Sequence, residues 1–254
     1  MRPLAHRTTG CLTVTPGHSF RGCALQGVGL DLDGTLMDHA ASADAAVRAW
    51  AAERGWPQDQ TAVAWVRAEQ EHFPHFTNGR ITFQEQRRRR VRDTLLSIGQ
   101  DPHEYDADLL FSGYLVHYER SWSAYPDAAP FLRALREAGL RVGVLTNGQR
   151  EQQESKLRTI GLMAAVDSVV ASSDLPAGKP DPRAFAALCT AMGTARETTL
   201  YIGDDIHADV SGAAAAGLPA LWLNRCDAPD EVPYPQASNL NEALNWLELP
   251  SRAT

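Results

Sequence analysis

Short apolar runs alternate with helical patterns along most of this chain, and each helical pattern stops at a glycine. The runs RVGVLTNG (141–148), AVDSVVAS (165–172), TTLYIGDD (198–205) and LPALWLN (218–224) are β-branched or aliphatic and end in polar residues or glycine. Such runs suit strands buried on both faces of a parallel sheet. Around them lie AAPFLRALREAG, QREQQESKLRTIG, DPRAFAALCTAMG and HADVSGAAAAG, which close on Gly139, Gly161, Gly193 and Gly217. Glycine fits the left-handed backbone that ends many helices. Strand and helix in strict alternation require right-handed crossovers, so the fold expected is a three-layer α/β domain.

A fifth run, VGLDLDGTLMDHA (28–40), comes first in the chain and carries Asp31 and Asp33 with only Leu32 between them. On a strand, residues two apart point to one side, so the two acids are expected close together at its end. Like charges that close resist ionising together unless a cation or a shared proton compensates. From Asp38 to Tyr125 the alternation stops, and long amphipathic stretches such as ASADAAVRAWAAERG and TFQEQRRRRVRDTLLSIG take over. The chain therefore divides into an N-terminal extension (1–22) expected to be poorly ordered, an α/β core (23–37 and 126–254) with a Rossmann-like parallel sheet, and an inserted helical cap domain (38–125). CDAPDEVPYPQASN reads as a loop, and NLNEALNWLEL as a closing helix.

Composition excludes several classes. A formal net charge of −7 argues against general nucleic-acid binding, which usually shows a basic surplus. No apolar run approaches the roughly 20 residues that span a bilayer, and the N-terminal MRPLAHRTTGCLTVTPGHSF lacks the apolar core of a signal peptide. Cys11, Cys23, Cys189 and Cys226 are far apart and form no metal-type pair, which fits reduced thiols in a cytoplasmic protein.

Ligands of open parallel sheets bind at the carboxyl ends of the strands. There the sequence places Asp31, Asp33, Gly34 and Thr35, then Thr146, Asn147 and Gly148, then Lys179 in AGKPDP, then Asp204, Asp205 and Asp209. This inventory suits phosphoryl transfer. Carboxylates hold Mg²⁺, which shares its oxygen ligands with substrate phosphate; a carboxylate can attack phosphorus; a hydroxyl, backbone N–H groups and a lysine stabilise the equatorial oxygens. Asp181 and Pro182 fit the N-cap and first residue of the helix after Lys179.

In that order, DLDGTL, LTNG, GKPDP and GDDIHAD resemble the four motifs of the haloacid dehalogenase superfamily, over about residues 25–223, and the helical insertion resembles the small cap of one branch. The resemblance implies a phosphatase-like hydrolase in which Asp31 is the nucleophile and Asp33 the general acid/base. It implies that Thr146, Asn147 and Gly148 bind the phosphoryl group with Lys179, which also pairs with Asp31. Mg²⁺ would be held by Asp31, the backbone carbonyl of Asp33 and Asp204, with Asp205 or Asp209 assisting. In the dehalogenase branch the position two after the nucleophile is not an acid and no metal is needed, so Asp33 favours a phosphatase. A phosphomutase would use the same four motifs, and a non-catalytic phosphate-binding module need not keep them all. The substrate expected is a small phosphorylated metabolite of sugar-phosphate or nucleotide type, with no nucleic-acid or membrane partner and a monomeric or homodimeric state.

Several of these residues also fit blander roles. Counting an EF-hand loop from Asp31 puts Leu36 and Ser42 where glycine and glutamate are required, and Pro180 follows Lys179 where a P-loop has Ser or Thr. Asp205 or Asp209 could simply cap a helix, and Asp38 is expected as a turn acid. Arg87–Arg90 with Arg92 point around most of a helix and read as a solvated face pairing with Glu85 and Asp93. His72, His75 and Phe76 in EHFPHFTNG are either a lid loop over the substrate or cap packing. His117, Tyr118 and Trp122 are expected as packing at the hinge between cap and core.

Overall fold

The computed structural model describes residues 19–20, 22–226 and 232–248. It opens with two short strands, β1 (Ser19–Phe20) and β2 (Cys23–Ala24), before the first core strand β3 (Gly27–Leu30). Four helices follow: α1 (His39–Glu53), α2 (Gln58–Thr77), α3 (Phe83–Ser97) and α4 (Ala107–Arg120). The alternation then resumes with α5 (Ala128–Glu137), β4 (Arg141–Thr146), α6 (Arg150–Thr159), β5 (Ser168–Ala171) and α7 (Pro182–Met192). It closes with β6 (Thr199–Gly203), α8 (Gly212–Ala215), β7 (Ala220–Leu223), β8 (Gln236–Ala237), α9 (Leu240–Asn245) and β9 (Leu247–Glu248).

Six strands form one parallel sheet in the order β5-β4-β3-β6-β7-β8. The sheet has one strand more than the sequence reading gave, because β8 is two residues long and sits inside the expected loop. The expected extension also needs correcting at its end: β1 pairs antiparallel with β2 and β9, and Phe20 is 3% exposed beside Trp246. The remainder of that extension, residues 1–18 and 21, lies outside the described residues.

The two sheet faces follow the two-residue period of the strands. Val28, Leu30, Val142, Val144, Leu200 and Ile202 pack with Phe131, Leu135 and Leu240 of α5 and α9. Leu145, Tyr201 and Trp222 point the other way and pack with Phe185 and Leu188 of α7. Gly29 lies on this second face, where an added Cβ would stand 2.9 Å from the Tyr201 ring and closer still to Leu188. Its lack of a side chain is what lets α7 seat against the centre of the sheet. The result is the three-layer α/β architecture expected.

The helical insert joins the core through two strand-like passes. Asp38 N donates to Ser123 O at 2.9 Å and Tyr125 N donates to Leu36 O at 3.0 Å. Asp38 itself caps α1 by accepting from Ala41 N at 3.0 Å. The arginine run makes no single basic face. Arg88 binds Asp108, Arg89 binds Glu85, and Arg87 lies over Phe83 and Phe111. Arg90 departs from the solvated reading: it is buried over the Trp65 ring with both terminal nitrogens on Glu69. The candidate lid is not a loop, since α2 carries Pro74 into its last turn. His72 is buried there with Nε2 2.6 Å from Asp93, and Phe76 packs on Phe73 and Phe83.

Phe185 is fully buried edge-on to Tyr201, with ring centroids 5.0 Å apart. Truncating it opens a cavity between α7 and the sheet. Phe185→Ala should lower unfolding stability by about 3–5 kcal/mol, read from urea denaturation followed by circular dichroism.

Candidate active site

The site forms where β3, β4 and β6 end side by side. In the parallel ladder Leu30 is level with both Val144 and Ile202, so the residues just beyond them emerge at one height. Asp31 leaves the sheet with its N–H still bonded to Ile202 O at 3.0 Å. Regular strand ends there, which overturns the expectation that Asp31 and Asp33 would share one side of it. The chain turns at Gly34 (φ 87), and the two carboxylates go to different lysines. An added Cβ at Gly34 would collide with the Asp204 carboxylate, so glycine is demanded there by both backbone and space.

Lys179 is the centre of the first group. Its ammonium is buried and hydrogen-bonds Asp31 Oδ1 and, at 2.6 Å, Asp209 Oδ1. Asp204 faces the opening, and one carboxylate oxygen each from Asp31, Asp204 and Asp209 lies within 4.8 Å of the others. Burial, opposed by Lys179 and reinforced by Asp209 and Asp204, pushes the Asp31 carboxyl well above its usual range. Desolvation and then Asp209 push Asp204 up to about 7, even though it is the exposed member. Burial works hardest against a charged Lys179, but Asp31 and the acidic groups around it outweigh that and hold its pKa above the usual value. A single ammonium therefore does not neutralise the group. Three clustered carboxylate oxygens with one open side fit a hard divalent cation such as Mg²⁺.

Asp209 reaches this cluster through an unusually wide turn. HADVSGAAAAG was expected as one helix. Instead, residues Ile206–Ser211 form a π-type turn in which Val210 N donates to Asp205 O at 3.2 Å, and α8 is only the last piece. Wide turns of this kind often occur at functional sites. The turn separates the two acids left open by the sequence. Asp209 is buried, accepting from Lys179 and, at 3.1 Å, from Asp205 N. Asp205 instead caps the turn, its Oδ1 accepting from His207 N at 2.8 Å and Ala208 N at 2.7 Å. Its side chain is not among the clustered carboxylates, contrary to its inclusion in the expected ligand set.

Thr146 ends β4 and Asn147 and Gly148 follow it, at the strand end as expected, but their polar groups are partly engaged. Asn147 Nδ2 donates to Lys179 O and its Oδ1 accepts from Lys179 N, both at 2.9 Å. This pair of hydrogen bonds fixes the Lys179 backbone, next to the cis Lys179–Pro180 peptide. The Asn147 side chain therefore positions the lysine where the expectation had it holding phosphate. Gly148 N donates to Ser172 Oγ at 2.9 Å, which commits the N–H expected for phosphate. Thr146 Oγ1 donates to Gln153 Oε1 at 3.3 Å.

Asp33 stands apart from the cluster. Both its oxygens accept from Lys156 Nζ at 2.7 Å, and His39 Nδ1 lies 4.0 Å from Oδ1. His39 Nδ1 also lies 2.7 Å from the hydroxyl of Tyr118. Lys156, Gln153 and His39 were not singled out in the sequence. The signal was in α6, REQQESKLRT, which is amphipathic in name only: its buried residues are Gln153, Lys156 and Leu157. A helix of an α/β core with polar residues three apart on its inner face is aimed at a polar site.

The haloacid dehalogenase-like hydrolase family matches residues 25–217, a span that holds every residue of this site. The chain belongs to that family. It is 28% identical to the (S)-2-haloacid dehalogenase of Pseudomonas fluorescens over 88% of this chain and 96% of that protein. It is 39% identical to the phosphoserine phosphatase of Thermus thermophilus, but that match spans only 47% of each protein. Among solved structures, the HAD-hydrolase YfnB of Bacillus subtilis, bound to magnesium, superposes with a TM-score of 0.77 at 24% identity, covering 87% of this chain and 98% of that one. This HAD hydrolase thus has the fold of its family and relatives in both of two chemistries. No helix among its described residues is long and apolar enough to cross a membrane.

The clustered carboxylates make metal binding directly measurable. Asp204→Ala should weaken Mg²⁺ binding more than the roughly 10–100-fold typical of losing a group behind a ligand, read by isothermal titration calorimetry.

Proposed function

We propose that this hydrolase is a Mg²⁺-dependent phosphatase of a small phosphorylated metabolite, working through an aspartyl-phosphate on Asp31. The observation that carries the reading is the clustering of Asp31, Asp204 and Asp209, with Asp33 two residues after Asp31. Under this reading Asp31, Asp204 and Asp209 hold Mg²⁺ with help from the Asp33 carbonyl, and the bound ion supplies charge neutralisation for the approaching phosphoryl oxygens.

The chain's own residues do the rest. Asp31 attacks phosphorus and forms the new P–O bond as the ester P–O bond breaks. Asp33 gives its proton to the departing alkoxide, which leaves as the alcohol. Asp33 then takes a proton from the water that attacks the aspartyl-phosphate, and phosphate departs, restoring Asp31. Lys179 and Thr146 carry charge on the equatorial oxygens. The helical insert, which brings His39 and Tyr118 to the edge of the Asp33 side, acts as a cap and selects the alcohol part of the ester.

The dehalogenase relative supplies the second reading, because it aligns over nearly the whole chain. Two features weigh against it. Halide leaves without a proton, so Asp33 would have no leaving group to protonate and only the water-activating half of its work would remain. A carboxylate substrate would also meet three clustered acids at the site.

The test measures phosphate release from a panel of phosphate monoesters with and without Mg²⁺, alongside halide release from (S)-2-chloropropionate. Phosphate release should require Mg²⁺, vanish in Asp31→Asn and fall roughly 10²–10⁴-fold in Asp33→Asn. Halide release without phosphate release would overturn the reading.

A further inference from the structure

Lys156 is buried to 3% exposure, yet its ammonium takes part in none of the clustering around Lys179. It comes from α6, crosses under the Tyr118 ring at 5.7 Å, and ends on both oxygens of Asp33 at 2.7 Å. A buried lysine–carboxylate pair is a poor way to gain stability, since desolvation offsets most of the attraction and an apolar pair of similar volume does as well or better. Its cost makes sense where the position of the carboxylate matters.

Asp33 is not fully enclosed: 28% of its side chain remains accessible. The groups facing it are Lys156 from α6, and His39 and Tyr118 from the insert. Lys156 uses one acceptor direction on each oxygen, and each oxygen of a carboxylate has another. Asp33 is thus gripped from the core side with acceptor capacity to spare. Gln153, one helical turn before Lys156, accepts from Thr146 Oγ1 at 3.3 Å. One face of α6 therefore addresses two of the residues assigned to the chemistry.

We propose that Lys156 is a positioning residue for the acid/base step, holding the Asp33 carboxylate by both oxygens so that proton transfer to the leaving group starts from one fixed geometry. The inference rests on the phosphatase reading and deepens it. Asp33 touches the substrate; Lys156 acts only through Asp33.

The leaving group separates this role from mere packing. An alkoxide needs a proton to depart, whereas p-nitrophenolate is stable without one. The ratio kcat/KM covers only the steps up to departure of the first product, so it reports that protonation and excludes hydrolysis of the aspartyl-phosphate. The experiment compares kcat/KM of the full chain and of Lys156→Met on p-nitrophenyl phosphate and on O-phosphoserine, or on whichever alkyl phosphate of the panel is turned over. Lys156→Met should lose about 100-fold on the alkyl ester, at the low end of what acid–base groups contribute. It should lose at least tenfold less on the aryl ester, and Lys156→Arg should recover part of the alkyl-ester loss. If Lys156→Met fails to fold, Lys156→Gln carries the same comparison.

Equal losses on both esters, or no loss on either, would overturn the proposal and leave Lys156 as packing. A gain in rate would overturn it too, by making Lys156 a restraint on Asp33. If the unaltered protein turned over no phosphate ester, the phosphatase reading would fail first and take this inference with it. That outcome is distinguishable because it appears before any variant is made.

Discussion

Asp31, Asp204 and Asp209 crowd their carboxylates together, two of them buried and Asp204 open to solvent, and the arrangement around them answers the repulsion this creates. Lys179 offsets part of it from inside, between Asp31 and Asp209. Asn147 holds the Lys179 backbone, Asp181 caps the helix that follows it by accepting from Arg183 N at 2.9 Å, and the wide turn after β6 swings Asp209 inward. Gly34 and Gly203 carry no side chains, and a Cβ on either would collide with one of the carboxylates. Losing the ammonium would leave buried charges uncompensated, a far larger penalty than the net worth of the pair. The cluster is therefore held by constraints reaching back into β3, β4, α7 and β6 at once.

Residues that follow a strand directly were legible in the sequence, and those on helices were not. A parallel sheet brings its strand ends together whatever the loops do, so Asp31, Thr146 and Asp204, at or just beyond the ends of β3, β4 and β6, could be placed from the order of apolar runs. Lys179, eight residues after β5, needed its place in the four-motif resemblance. What followed each strand by more than a residue or two was less secure. Asp33 lies beyond the last regular residue of β3, and there the two-residue alternation stopped applying. Asp205 and Asp209 were indistinguishable until the turn showed its width, because a wide turn leaves no mark in hydrophobic spacing. Lys156 and Gln153 were hidden because the lysines and glutamines of α6 read as solvent-facing by default. The EHFPHF segment misled in the opposite sense: Pro74 suggested a loop, but α2 ends only three residues later, at Thr77.

The insert and the chemistry meet at Asp33. Of the two passes that join insert and core, at Leu36–Asp38 and Ser123–Tyr125, the first begins three residues after it. Of the groups facing Asp33, His39 and Tyr118 belong to the insert, while Lys156 belongs to the core. The distances rank them: both oxygens of Asp33 are 2.7 Å from Lys156, and the nearer is 4.0 Å from His39. Any rotation of α1–α4 about those two passes would therefore leave Asp33 on Lys156 and carry His39 and Tyr118 past it. Under the phosphatase reading, a fold that grips Asp33 from the core side can vary the insert, and with it the alcohol it accepts, without disturbing the distance over which the proton moves.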